Sequence, residues 1–83
     1  MLKITRVGES YHLFDTIKGN FFSFNSTSWE IIKAIKKYGK EKAAIQISKI
    51  YNISERRAKK DIKYIIKQLE NSHINIDDIP GSI

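Results

Sequence analysis

The sequence predicts an α+β fold in which a three-stranded antiparallel β-meander is followed by three α-helices. Three observations carry this reading. Residues 2–24 hold short β-rich runs broken by glycine-centred turns, residues 26–70 place apolar side chains at helical spacing, and that helical stretch is punctuated at Gly39 and at Asn52-Ile53. A chain of 83 residues has room for one domain. Size scaling lets such a chain bury about 63% of its unfolded surface, enough for a single thin core.

The elements follow in order. Leu2-Lys3-Ile4-Thr5-Arg6-Val7 is a strand stopped by Gly8-Glu9-Ser10, and Tyr11 to Ile17 is a second. Lys18-Gly19-Asn20 supplies a hairpin turn, since glycine tolerates the positive φ such turns need. Phe21-Phe22-Ser23-Phe24 is the third strand, with Phe22 and Phe24 on one face and Phe21 and Ser23 on the other. Thr27 and Glu30 have the spacing of a capping box and open a helix that carries Trp29, Ile32 and Ile35 inward and ends at Gly39. A second helix, from about Glu41 to Tyr51, presents Ala43, Ile47, Ile50 and Tyr51. Ser54 caps a third, in which Ala58, Ile62, Ile65, Ile66 and Leu69 form a wide core stripe. Asn71-Ser72-His73 breaks that helix, Ile74-Asn75-Ile76 reads as a short strand, and Asp77 onward as a loose tail. The expected organisation is one domain over residues 1–76 with a tail over 77–83, in the outline of a winged helix-turn-helix with its wing at the N-terminus.

Composition narrows the function classes. No cysteine is present, which removes disulfide scaffolds, thiol catalysis and thiolate metal sites. The acids are dispersed, the glycines are isolated rather than gathered in a phosphate loop, and His12 and His73 are not placed as a pair. These features predict a protein that is not an enzyme and needs no cofactor or metal. No apolar run approaches the ~20 residues of a membrane span, and the N-terminus lacks an apolar signal core, so a cytoplasmic protein is expected. The net charge is +6, and twelve of the fifteen basic residues fall between Lys33 and Lys67. An anion-binding surface must therefore be built by the second half of the chain.

Two binding readings compete. The second and third helices with their short link resemble a helix-turn-helix, and the third opens with Glu55-Arg56-Arg57 and continues through Lys59, Lys60, Lys63 and Lys67, as a major-groove helix would. Asp61 on the same helix would repel phosphate, and the link lacks the glycine often found there. The alternative is peptide binding at the sheet edge. Phe21-Phe22-Ser23-Phe24 is flat, apolar and uncharged, an edge that needs a cover, and a partner strand added to it gains backbone hydrogen bonds and side-chain pockets.

From Tyr11 to Ile76 the chain resembles the PqqD-like proteins, the recognition elements that bind leader peptides of ribosomally synthesised, post-translationally modified peptides (RiPPs). The points of resemblance are the strand–Gly–strand hairpin at Gly19, the strand ending in Phe24-Asn25 and the helix that follows at once through Ser26-Thr27-Ser28-Trp29-Glu30. Tyr51, Asp61 in the last helix and the late Ile62, Leu69 and Ile74 pattern complete it. The resemblance implies a winged helix that does not bind DNA. The leader would add antiparallel to the third strand, at Phe21, Phe22, Ser23, Phe24 and Asn25, and lie against the third helix. It also implies a stand-alone bacterial protein, of the lasso-peptide type by chain size, that presents the precursor to a separate leader peptidase or other maturation enzyme. On that helix Ala58, Ile62, Ile65 and Leu69 face the core, so the helical wheel puts Arg57, Asp61, Tyr64 and Gln68 on one flank and Lys59, Lys63 and Ile66 on the other. The first flank mixes a base, an acid, an aromatic and an amide, and is the expected wall for peptide side chains. A small DNA-binding regulator is the runner-up.

Overall fold

The computed structural model describes residues 2–80. Three strands, β1 (Leu2–Val7), β2 (Ser10–Asp15) and β3 (Phe21–Asn25), are followed by the helices α1 (Ser26–Tyr38), α2 (Lys40–Tyr51) and α3 (Glu55–Asn71). The sheet is an antiparallel meander in the order β1-β2-β3. The expected α+β class, a three-stranded antiparallel sheet and then three helices, is the architecture observed.

Local chemistry sets each boundary. The β1–β2 turn is two residues long, with Gly8 at φ 63° and Glu9 outside the left-handed region, the pattern of a II′ hairpin. Gly39, at φ 82°, serves two helices: its N–H donates to Ile35 O at 2.9 Å to close α1, and its carbonyl accepts from Ala43 N at 2.9 Å to open α2. Asn52 adopts the left-handed conformation at the end of α2, and Ser54 caps α3 by accepting from Arg57 N at 3.1 Å.

The core lies between one face of the sheet and the three helices. Tyr11, Leu13 and Phe24 from the strands meet Trp29, Ile31, Ile32 and Ile35 of α1, Ala43, Ala44 and Ile47 of α2, and Ala58, Ile62, Ile65 and Leu69 of α3. Tyr11 stacks on Phe24 with ring centroids 5.6 Å apart and on Trp29 at 5.5 Å, so an aromatic column ties sheet to α1. Such ring pairs add about 0.5–1.5 kcal/mol each beyond the area they bury.

Five local expectations are corrected. The second strand ends at Asp15, because the Asp15 carboxylate accepts from Ile17 N and Lys18 N and curls the chain into the turn. Helix α1 begins at Ser26 and its cap lies two residues before Thr27: Asn25 accepts from Ser28 N at 2.9 Å, and Glu30 pairs with Lys33 instead of reaching back. Ile50 and Tyr51 are exposed, Ala44 taking the inward position expected of them. Ile74-Asn75-Ile76 is not a strand: Ile74 turns into the core and Ile76–Asp78 form a single 3-10 turn. Nor is the chain loose from Asp77, since Ile79 is 1% exposed within the core and its carbonyl accepts from Lys36 Nζ. Residues 81–83 of the expected tail lie outside the described residues.

Candidate functional site

The site is best built from β3 outward. Among the described residues this strand pairs only with β2, in the register Tyr11–Phe24, His12–Ser23, Leu13–Phe22 and Phe14–Phe21. Asp15 N donates to Asn20 O at 2.9 Å, which fixes the alternation of the ladder. Leu13–Phe22 and Tyr11–Phe24 are then the hydrogen-bonded pairs. The N–H and C=O groups of Phe21 and Ser23, and the N–H of Asn25, point away from β2 along the outer edge, where all three residues are exposed. Among the described residues no backbone hydrogen bond takes these groups up.

The sheet has two edges, and they differ. β1 carries Lys3 and Arg6, charges of the kind that guard an edge against an added strand. β3 carries no charge at all.

Side chains divide by face. Phe24 is 9% exposed, within the aromatic column, and Phe22 is half-buried beside it, with ring centroids 5.6 Å apart. Both therefore spend side chain and backbone on the protein itself. Phe21 is 58% exposed on the opposite, outer face and stacks on His12, with ring centroids 5.8 Å apart. His12 Nδ1 and Ser23 Oγ are 2.9 Å apart, within hydrogen-bond distance, and Phe14 sits across from Phe21 and is itself exposed. A strand added to β3 would continue this outer face, so His12 and Phe14 join the candidate set. Their signal was present in the sequence once the turn at Gly19 fixed which residues oppose one another.

The α3 residues of the expected site are spread along the helix from its first turn to its last. Arg57 and Asp61 line one shallow groove with Ser54, Arg56 and Lys60 at the start of α3. Gln68 is half-buried and Tyr64 is 63% exposed. No hydrogen bond, ion pair or ring contact among the described residues joins β3 to α3. On the other flank of α3 a groove of about 320 Å³ is lined by Ile62, Ile66, Lys59 and Lys63 together with Lys40 and Glu41 of α2. It abuts a larger one, of about 570 Å³, into which Lys18 of the β2–β3 turn, Leu69 and Ile74 project. Helical spacing alone does not distinguish these flanks; the position of α2 and of the turn does.

Among the described residues no group of three or more His, Cys, Asp or Glu side chains could hold a metal ion. No helix among them is long and apolar enough to cross a membrane. Asp15, at the base of the β2–β3 turn, has its pKa held below the usual carboxylate value, first by the hydrogen bond from Lys18 N and then by that from Ile17 N. No protein family, curated protein or solved structure compared with the chain matches it.

Proposed function

We propose that this protein binds the leader segment of a ribosomally made precursor peptide as a fourth strand on β3 and presents it to a separate maturation enzyme. One observation carries the reading: β3 is an unpaired, uncharged edge with exposed backbone groups on Phe21, Ser23 and Asn25. An extended peptide gains main-chain hydrogen bonds there, and its alternate side chains meet Phe21 and Ser23 on the outer face, with Phe14 and His12 one strand behind. The resemblance to RiPP recognition elements gives the peptide its class, with lasso-peptide precursors favoured by chain size and Arg57, Asp61, Tyr64 and Gln68 as the opposite wall. The test is titration of the ¹⁵N-labelled protein with synthetic leader segments of short precursor peptides encoded beside its gene. Amide shifts are expected at Phe21, Ser23 and Asn25. Shifts confined to Lys3–Val7 or to Trp29–Tyr38 would overturn it.

A second reading has its own observation. Arg56, Arg57, Lys59, Lys60, Lys63 and Lys67 are all exposed on α3, which follows α2 through a link of three residues. A winged-helix regulator would insert this helix in the major groove. Tight, sequence-selective retention of a DNA duplex at about 150 mM salt would favour it over peptide binding.

A further inference from the structure

We infer that the groove between the start of α2 and the Ile62/Ile66 side of α3 is a docking site for an acidic peptide segment carrying a bulky aliphatic side chain, distinct from the β3 edge. Ile62 and Ile66 are one helical turn apart and line the floor. Lys59 and Lys63, also one turn apart, run beside them, and Lys40 faces them from α2. A row of ammonium groups thus lies parallel to a row of aliphatic carbon. Glu41 is the single carboxylate among the lining residues, against three lysines. None of the three lysines takes part in an ion pair among the described residues, so the excess positive charge is available to a partner. The groove runs on through Lys40 and Ile66 into the larger one, where Lys18 adds a further cation and Glu70 an opposing acid.

Charge complementarity selects the occupant. Carboxylates spaced about a turn apart would meet the lysine row, and a Leu or Ile between them would cover Ile66, adding area burial to steering. Duplex DNA has no use for the aliphatic floor; its phosphates would be served as well by Arg56, Lys60 and Lys67, which lie next to Lys63 on the outward face of α3. The inference does not depend on the leader reading, since it involves neither the edge of β3 nor the Asp61 flank.

The test uses the full chain, ¹⁵N-labelled, and three synthetic twelve-residue peptides. One is built of Asp and Glu around a central Leu, a second replaces that Leu by Ala, and a third replaces the acids by Asn and Gln. The first should move the amides of Lys40, Lys59, Lys63 and Ile66 and leave Phe21–Asn25 in place. The Ala peptide should bind at least fivefold more weakly and the uncharged one weaker still. Lys59→Gln and Lys63→Gln should each lower affinity roughly two- to fivefold, as an exposed or partly covered ion pair does, with unchanged circular dichroism. Equal binding of the Leu and Ala peptides, shifts spread evenly over Arg56, Lys60 and Lys67, or no binding would overturn the inference. So would a DNA duplex that displaces the peptide at about 150 mM salt. Shifts on β3 alone would overturn this site while leaving the proposed function standing.

Discussion

Asn25 does two jobs at one position: it ends β3 with an outward N–H and its side chain caps α1. Losing an N-cap side chain costs about 1 kcal/mol, so Asn25→Ala should destabilise the fold by that amount while Thr27→Ala leaves it nearly unchanged. Urea denaturation of the two variants distinguishes this cap from the capping box that residue spacing suggested. Ile79 offers a larger effect. Removing most of a fully buried aliphatic side chain costs about 2–5 kcal/mol, and Ile79→Ala should fall in that range by the same measurement. A surface residue in a loose tail would show almost none. Lys36 is no neutral control position, because its ammonium holds the Ile79 carbonyl; exposed Lys49 is the better choice.

At the scale of elements, the β2–β3 turn has a defined acid response. The folded-state pKa of Asp15 lies below its unfolded value, so the stabilisation is fully present above about pH 4, the unfolded carboxylate value, and is lost as pH falls through the folded pKa. Denaturation curves from pH 6 to pH 2 should show the wild type losing its advantage over Asp15→Asn across that window. The edge strand gives the functional test. Ser23→Pro removes an outward N–H and keeps the backbone bonds to β2, losing also the Oγ contact with His12, and should lower affinity for the cognate leader by about 1–3 kcal/mol. Asp61→Ala and Tyr64→Ala should each have an effect of similar size if that flank is the opposite wall, and Lys49→Ala should have none. Thermal melts of each variant separate loss of binding from loss of fold. Element order was legible because turn residues and apolar periodicity agreed along most of the chain. The C-terminal segment was not legible, because Ile74 and Ile76 alternate like a strand while the turn at His73, which has φ 57°, sends Ile74 and Ile79 into the core. The β3 edge could be read from composition. The grooved flank of α3 could not, since it depends on where Lys40 and Lys18 come to rest.

Across the whole molecule, charge and apolar edge are segregated: the sheet half is nearly neutral and the helices carry the net positive charge. Such a surface attracts any polyanion at low salt, so retention of DNA alone says little. The binding constant for a random duplex should fall steeply with salt and become negligible by about 150 mM, as counterion release dictates. Leader binding at β3 should change far less over the same range, because backbone hydrogen bonds and apolar contacts are only weakly screened. Measuring both against salt concentration on one protein sample separates the two readings.

The chain contains a single tryptophan, and the structure sets it four residues beyond the end of the candidate edge. Trp29 is packed on Tyr11 and Phe24, the pair that joins β2 to β3. Any ligand that straightens or retwists β3 must shift these rings against the indole. The protein thus carries its own optical gauge of strand occupancy: intrinsic emission, read without label or mutation, should report an arriving peptide in real time.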